Sequence, residues 1–455
     1  MRPFTLTGTL VTAAEHYDIP GMNTQRPKNS GRLYFNPTMT IYGLQLPFSF
    51  LLSTQERNFN QPFNQFGVSP TYKWLTLHGG YRSLRYSEFT LSDAMILGGG
   101  AEVQADIYRV RGMYGRFRRA VEEDSTTGVL AVYKRMGYAF GAGVGDKETY
   151  IDLNVLHAWD DSTSLERPRA LANVRPAENV VGGVNGRLPL DEGRIVFDGE
   201  FAASMVTRDT DQPEVANEDV PDAVFANTRY SSRLNYAWRG GATYNAPLWS
   251  LRLEYARVEP EYETMGAIYT QNDYEDITVK PSFRLPDGTL RVGAAIGWRH
   301  DNLFDDRLVT TNRVIGSANA NWAPDPIFNI DGNYSNYSMS SADGAVTVND
   351  STRLDNVSES WSISPRLSIT GSGAQHFLML LLTRQAFTDE NLLTGTNSDN
   401  DVLTALLSYT LGFASGYGFS TSFVFTEVHT LFRKHIVRGL PLAANRKRPE
   451  EHMSQ

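Results

Sequence analysis

Cysteine is absent from the 455 residues, which removes disulfides, thiolate metal sites and cysteine nucleophiles together. Long apolar runs are absent too. The longest, Phe377 to Leu382, holds six residues, against roughly 20 for a helix that crosses a bilayer. No secretory leader is visible, because Met1-Arg2-Pro3 passes straight into alternating residues from Phe4. Basic residues are in the minority, 42 Lys and Arg against 51 Asp and Glu, and the charge of −9 is spread along the chain. That distribution argues against a nucleic-acid binder.

Signatures of catalysis are scarce as well. The eight histidines (16, 78, 157, 300, 376, 429, 435 and 452) never fall at the i, i+4 spacing of a zinc helix. No G-x-S-x-G elbow occurs, and Gly141-x-Gly143-x-Gly145 sits in a strand, where glycine relieves crowding, rather than before a helix. The acidic stretch from Asp209 to Asp222 lacks the order of a calcium loop and is interrupted by Pro213 and Pro221, so it reads as a solvated surface loop. Asn397 to Asp401 is weaker still. No enzyme, cofactor or metal is expected.

What fills the chain instead is alternation. In Trp249 to Ala256 every odd position is large and apolar, and every even one small or charged. Ile277, Val279, Pro281 and Phe283 alternate with Thr278, Lys280, Ser282 and Arg284, and after Pro286-Asp287-Gly288 the pattern resumes from Leu290 to Arg299. Further on, Val357, Trp361, Ile363, Leu367 and Ile369 face away from Ser358, Ser360, Ser362, Ser364, Arg366 and Ser368. A helix would scatter these residues around its axis, whereas a strand separates them onto two faces. The segments commonly run about ten to thirteen residues, longer than the usual 5–6 of soluble strands and matched to the 9–11 that a tilted strand needs to cross hydrocarbon.

Twenty-one candidate strands follow one another from Phe4 to the segment beginning near Gly416. Tight turns such as Tyr42-Gly43-Leu44 join some neighbours. Long polar loops (207–228, 338–355 and 388–400) join others. Short turns and long loops together are how transmembrane barrels are built. The expected fold is therefore all-β: a single large antiparallel transmembrane β-barrel of roughly 20–22 strands over residues 1–440, followed by a basic polar tail, 441–455, expected to be disordered. Such barrels have an even strand number. With twenty-one counted and the alternation fading after Thr426, the leader and the last strand or two are expected to lie outside this sequence. Seven Trp and nearby Tyr concentrate toward strand ends, as in interfacial girdles.

Several segments resemble a family of large, uncharacterised outer-membrane β-barrels from Bacteroidota. They include Gly31-Arg32-Leu33-Tyr34-Phe35-Asn36-Pro37, Asn64 to Trp74, Met113 to Asp124 and Asn349-Asp350-Ser351-Thr352-Arg353. The resemblance runs from about Phe4 to Asn445. It implies a location and a fold, and no chemistry or ligand.

Polar residues opposite the apolar face are candidate lumen lining: Arg109, Arg111, Asp152, Asp198, Glu200, Arg252, Glu254, Lys280, Arg284 and Arg291. Arg109 and Arg111 alternate with Tyr108, Val110 and Tyr114. Together with Arg116, Arg118 and Arg119 they make the densest basic cluster, which could favour anions in a pore. The plainer alternative is that they pair with Asp152, Asp198, Glu200 or Glu254 and fill the barrel. The function expected is an integral protein of a Gram-negative outer membrane, either a pore for small polar solutes or a barrel supporting surface-exposed partners. Its partners would be outer-membrane lipid, small polar or anionic solutes, and surface-exposed or periplasmic proteins. Rival readings are an occluded docking barrel, an outer-membrane lipid hydrolase and a soluble all-β binding protein.

Overall fold

A computed structural model describes residues 4–16, 28–54, 65–124, 128–166, 174–215, 226–349, 351, 353–391, 393, 398–414 and 417–430, with the backbone alone of 433–439 and 442–446. Among the described residues the named elements are strands and one 3₁₀ turn, Asp191–Gly193. The first eleven strands are β1 (Phe4–His16), β2 (Asn29–Ile41), β3 (Leu44–Ser53), β4 (Gln65–Val68), β5 (Thr71–Tyr72), β6 (Leu75–Arg85), β7 (Ser92–Ala105), β8 (Tyr108–Arg118), β9 (Lys134–Gly145), β10 (Tyr150–Asp161) and β11 (Glu178–Leu190). Three follow: β12 (Ile195–Thr207), β13 (Ser232–Asn245) and β14 (Trp249–Val258). The rest are β15 (Tyr274–Arg284), β16 (Leu290–Asp301), β17 (Val309–Trp322), β18 (Phe328–Asp343), β19 (Asp355–Thr370), β20 (Ala374–Asp389), β21 (Asn400–Phe413), β22 (Tyr417–Thr430), β23 (Arg433–Gly439) and β24 (Leu442–Arg446).

These 24 segments make 22 strands in one sheet. Both β4 and β5 pair with β3 and with β6, so they are one strand broken at Ser69-Pro70, where proline cannot donate to the ladder. Both β23 and β24 pair with β22 in one register, so they belong to a single strand. The expected all-β antiparallel barrel class of 20–22 strands therefore holds, and two expectations change. A twenty-second strand follows the twenty-one read from the sequence. Pairing also runs to Arg446, so the boundary placed at 440 falls between the two halves of that strand. The remainder of the proposed tail, 447–455, lies outside the described residues, as do the opening Met1-Arg2-Pro3 and 216–225 of the acidic loop.

The chain divides into two compact units. Unit 1 comprises Met1–Pro189, Asp198–Gly240 and Val258–Asn272, and unit 2 comprises Leu190–Phe197, Gly241–Arg257 and Asp273–Gln455. Within unit 1, β1 to β11 form an antiparallel meander, each strand bonded to the next. Within unit 2, β15 to β24 do the same. Local chemistry fixes the hairpins. Tyr42 (φ 48°) and Gly43 (φ 89°) link Ile41 to its partner Leu44, the two-residue left-handed turn that matches strand twist. Asp146, in the β9–β10 turn, accepts the N–H groups of Glu148 and Thr149 at 2.7 and 2.8 Å. Those bonds, Thr149 first, hold its carboxyl below the usual range.

Alternation has opposite consequences for the two faces of the sheet. In unit 1 the apolar face carries Tyr108, Val144 and Ile151 in one row and Val110, Ala142 and Leu153 in the next, and most of these side chains are exposed. In unit 2 the corresponding face carries Ile296, Trp298, Trp322, Ile363, Leu407 and Phe423, all exposed. Of the buried apolar residues, all but Val196 belong to unit 1, and Met113, Ala139, Leu156 and Val181 among them lie on the other, polar face.

Candidate functional site

The polar face of unit 1 is zoned along the strands. One end holds a row of Arg109, Gly143, Asp152 and Asn185 and a row of Arg111, Gly141, Asn154 and Gly183, on β8, β9, β10 and β11. Asp152 receives Arg109 at 2.9 Å and Arg111 at 3.3 Å, and Arg111 also donates to Asn154 at 3.1 Å. Glycine on β9 makes this possible. A Cβ at Gly143 would overlap Asp152 Oδ1, and one at Gly141 would stand 2.7 Å from Arg111 Nε. The far end repeats the theme with Arg118, Arg135 and the buried Asp160, which takes Arg135 Nε at 2.8 Å and Arg118 Nη2 at 3.1 Å. Between the two ionic ends the face is apolar, with Met113, Ala139, Leu156 and Val181 in register.

Two connections lie over that apolar middle. The connection 86–91, between β6 and β7, is buried at Tyr86, Ser87, Phe89, Thr90 and Leu91, and the connection 259–273, between β14 and β15, is buried at Tyr262, Thr264 and Met265. They hold each other: Tyr262 Oη donates to the Phe89 carbonyl at 2.7 Å and Thr264 Oγ1 to the Thr90 carbonyl at 2.6 Å. The sheet holds both. Glu200 on β12 accepts the N–H groups of Glu88 at 3.1 Å and Phe89 at 2.6 Å. Asn179 on β11 accepts the Met265 N–H at 2.9 Å, and Ser204 donates to the Glu263 carbonyl at 2.5 Å. Arg239 bridges Glu88 and Glu200. Gly266 has no side chain because a Cβ would overlap the Thr90 carbonyl oxygen and stand 2.8 Å from Leu156. Burial pushes up the phenols of Tyr86 and Tyr262, helped by Glu102 and Glu200 respectively. Arg111 donates to the Tyr86 carbonyl at 3.0 Å and stacks on its ring at 4.4 Å.

In unit 2 the polar face is half-buried to exposed. Register places Ser282, Gly293, Asn319, Asn333, Ser362 and Thr383 in one row and Ser317, Ser335, Ser360 and Gln385 in another. Hydroxyls and amides bond across it, Ser250 with Ser282 and Ser335 with Ser360, each at 2.7 Å. Charges are mostly matched: Arg252 at 2.5 Å and Lys280 both engage Glu254, Arg299 engages Asp276 at 2.5 Å, and Arg366 engages Asp331 at 2.7 Å.

The residues expected to line a lumen thus fall into four groups, two on the polar face of unit 1 and two on that of unit 2. Arg109 and Arg111 pair with Asp152, which is the plainer alternative given for them. Glu200 holds backbone rather than an arginine of that cluster, and Asp198 stands two residues away on the same face of β12. Arg252, Glu254 and Lys280 form one linked trio, and Arg284 and Arg291 face each other across β15 and β16. The two covering connections were missed from sequence. Their signal was Tyr86, Phe89 and Leu91, large apolar residues inside a connection. Ser69, His78 and Glu102 also line up, with Ser69 Oγ 2.8 Å from His78 Nδ1 and Glu102 3.5 Å from Nε2. The Ser69 N–H already donates to the Pro47 carbonyl at 3.1 Å and is not offered to an oxyanion.

Neither a family model nor a curated protein matches the sequence. Among solved structures, the chain is similar to a bacterial polysaccharide outer membrane secretin, at 10% identity and a TM-score of 0.29, over 75% of this chain and 98% of that one. It is also similar to Wzi of Escherichia coli, titled an outer membrane protein involved in group 1 capsule assembly and a carbohydrate-binding β-barrel, at 12% identity and a TM-score of 0.36, over 75% of this chain and 81% of that one. Likeness at this level leaves the function to be read from the chain's own residues.

Proposed function

We propose that the chain is an integral β-barrel protein of a Gram-negative outer membrane. It works without catalysis, admitting small polar solutes along the polar face of unit 2 while the polar face of unit 1 is closed by its own connections. One observation carries this reading. On strands of 10–16 residues, the apolar face is the uncovered one, while the polar face bonds within itself. Water penalises such an arrangement and hydrocarbon rewards it. The resemblance to large Bacteroidota barrels fits the same reading.

Expressed with a leader and fractionated, the protein should sit in the outer membrane and migrate faster unboiled than boiled in detergent electrophoresis. Planar bilayers should then show discrete conductance. A soluble protein without a mobility shift would overturn the barrel reading, and turnover of acyl esters would overturn the non-catalytic one. A second reading, an occluded docking barrel, draws on the closed face of unit 1. A heat-modifiable but non-conducting protein would favour it.

A further inference from the structure

On the polar face of unit 2, one row breaks the matching of charges. Arg284 on β15 lies directly across from Arg291 on β16; Arg291 lies across from Asn321 on β17, and Asn321 from Asp331 on β18. Like charges directly opposed destabilise a strand pair. The one carboxylate in the row is already engaged, since Asp331 takes Arg366 at 2.7 Å and the Asn321 amide at 2.6 Å. Asp287, in the turn between the two strands, is engaged by the Thr289 N–H at 3.1 Å and hydroxyl at 2.9 Å. Among the described residues no carboxylate pairs with Arg284 or Arg291, whose one side-chain hydrogen bond is from Arg284 Nε to the Pro247 carbonyl at 3.4 Å. This concentration of positive charge stands in a chain whose net charge is −9.

The same two arginines line a cavity of about 460 Å³ with Ser250, Ser282 and Asn319, and with Trp249 and Phe283 in its apolar wall. Gly293 leaves its floor open: a Cβ there would stand 2.8 Å from Asn319 Oδ1. Two guanidinium forks, two hydroxyls and an amide around a space of this size suit a multidentate oxyanion better than a neutral sugar, because each fork can give two parallel charge-assisted bonds.

We propose that Arg284 and Arg291 form a binding site for a phosphate-type oxyanion, free or carried as an ester on a polar solute. The site rests on the reading of this face as the wet one and names the class of solute it selects. The repulsion between the two arginines is then the cost of keeping the site ready, relieved when the anion arrives.

The test uses the full chain folded in detergent, with thermal unfolding followed at constant ionic strength as chloride is exchanged for inorganic phosphate. A saturable rise in Tm is expected, shared by glucose 6-phosphate and not by glucose. Arg284→Gln or Arg291→Gln should weaken phosphate about tenfold each, the loss of one charge-assisted bonding group. Their Tm without phosphate should be unchanged or raised, since the repulsion is gone. Arg194→Gln, in the β11–β12 turn, should bind as the parent does. A response to phosphate that is absent, non-saturable or retained by both single variants would overturn the site. A heat-modifiable protein that ignores phosphate fells this inference alone, whereas a protein that shows no heat modifiability fells the barrel reading.

Discussion

Units 1 and 2 are built from long strands of the same alternation and treat their polar faces in opposite ways. In unit 1 ionic clusters occupy the two ends of the face, and two connections cover the apolar middle through Leu156, Val181 and Gly266. In unit 2 the same position carries serine, threonine and asparagine with nothing described above them. Period-two alternation specifies which residues share a face, but not whether that face is sealed. Sealing depends on connections long enough to fold back, on glycines that make room for them, and on acceptors such as Glu200 that satisfy their backbone.

Substitutions can break this contrast. The largest effect is expected at Gly143→Val, where the new side chain has nowhere to go but into Asp152, and the heat-modifiable form should be lost. Gly332→Val in unit 2, where a Cβ meets nothing within 4 Å, should leave it intact. Next comes Asp152→Ala, which strands Arg109 and Arg111 beside each other and should cost about 3–5 kcal/mol in urea unfolding. Asp331→Ala, whose partner Arg366 is 43% exposed, should cost less than about 1 kcal/mol. Glu200→Gln removes a charged acceptor from two N–H groups, worth about 1.5–3 kcal/mol to the connection it holds. Hydrogen exchange should rise at Glu88 and Phe89 ahead of the strands, and equal protection in both proteins would remove Glu200 as the anchor.

Tyr262→Phe is expected to cost about 1 kcal/mol, one neutral hydrogen bond. The folded state raises the pKa of this phenol above its ordinary 10.0. Its contribution is therefore fully present below that pH and is lost as pH climbs past it. Ultraviolet titration should find one fewer tyrosine ionising only with alkaline unfolding in the variant than in the parent, where Tyr86 and Tyr262 are both raised. Smallest of all, Ser360→Ala on the open face should change stability by under about 0.5 kcal/mol.

Much of the strand order was legible because it depends on local repetition. Twenty-one starts could be read from period two alone, and turn residues such as Tyr42-Gly43 marked their ends. The twenty-second was not legible because Ile436 and Val437 stand side by side and glycine and proline follow at 439 and 441, so its sequence shows no period of two. The pairing of Arg109 and Arg111 with Asp152 was one of several options in the sequence, and only the register of β8, β9 and β10 selects it. The two covering connections were illegible for a different reason: their burial comes from contacts with Glu200, Asn179 and Ser204, roughly 60 to 110 residues away in the chain, and no local pattern encodes it. The opposition of Arg284 and Arg291 could have been found by counting outward from the turn at Pro286-Asp287-Gly288.

Glu200 grips the Tyr86–Leu91 connection by its amide hydrogens, a feature every residue but proline offers. A grip of that kind recognises where the main chain passes and is indifferent to the letters written on it. The cover over unit 1 could thus change its composition at Glu88 or Phe89 across related chains, altering what a visiting molecule meets there, while keeping its anchorage. Proline at either position is the one spelling the anchor would reject.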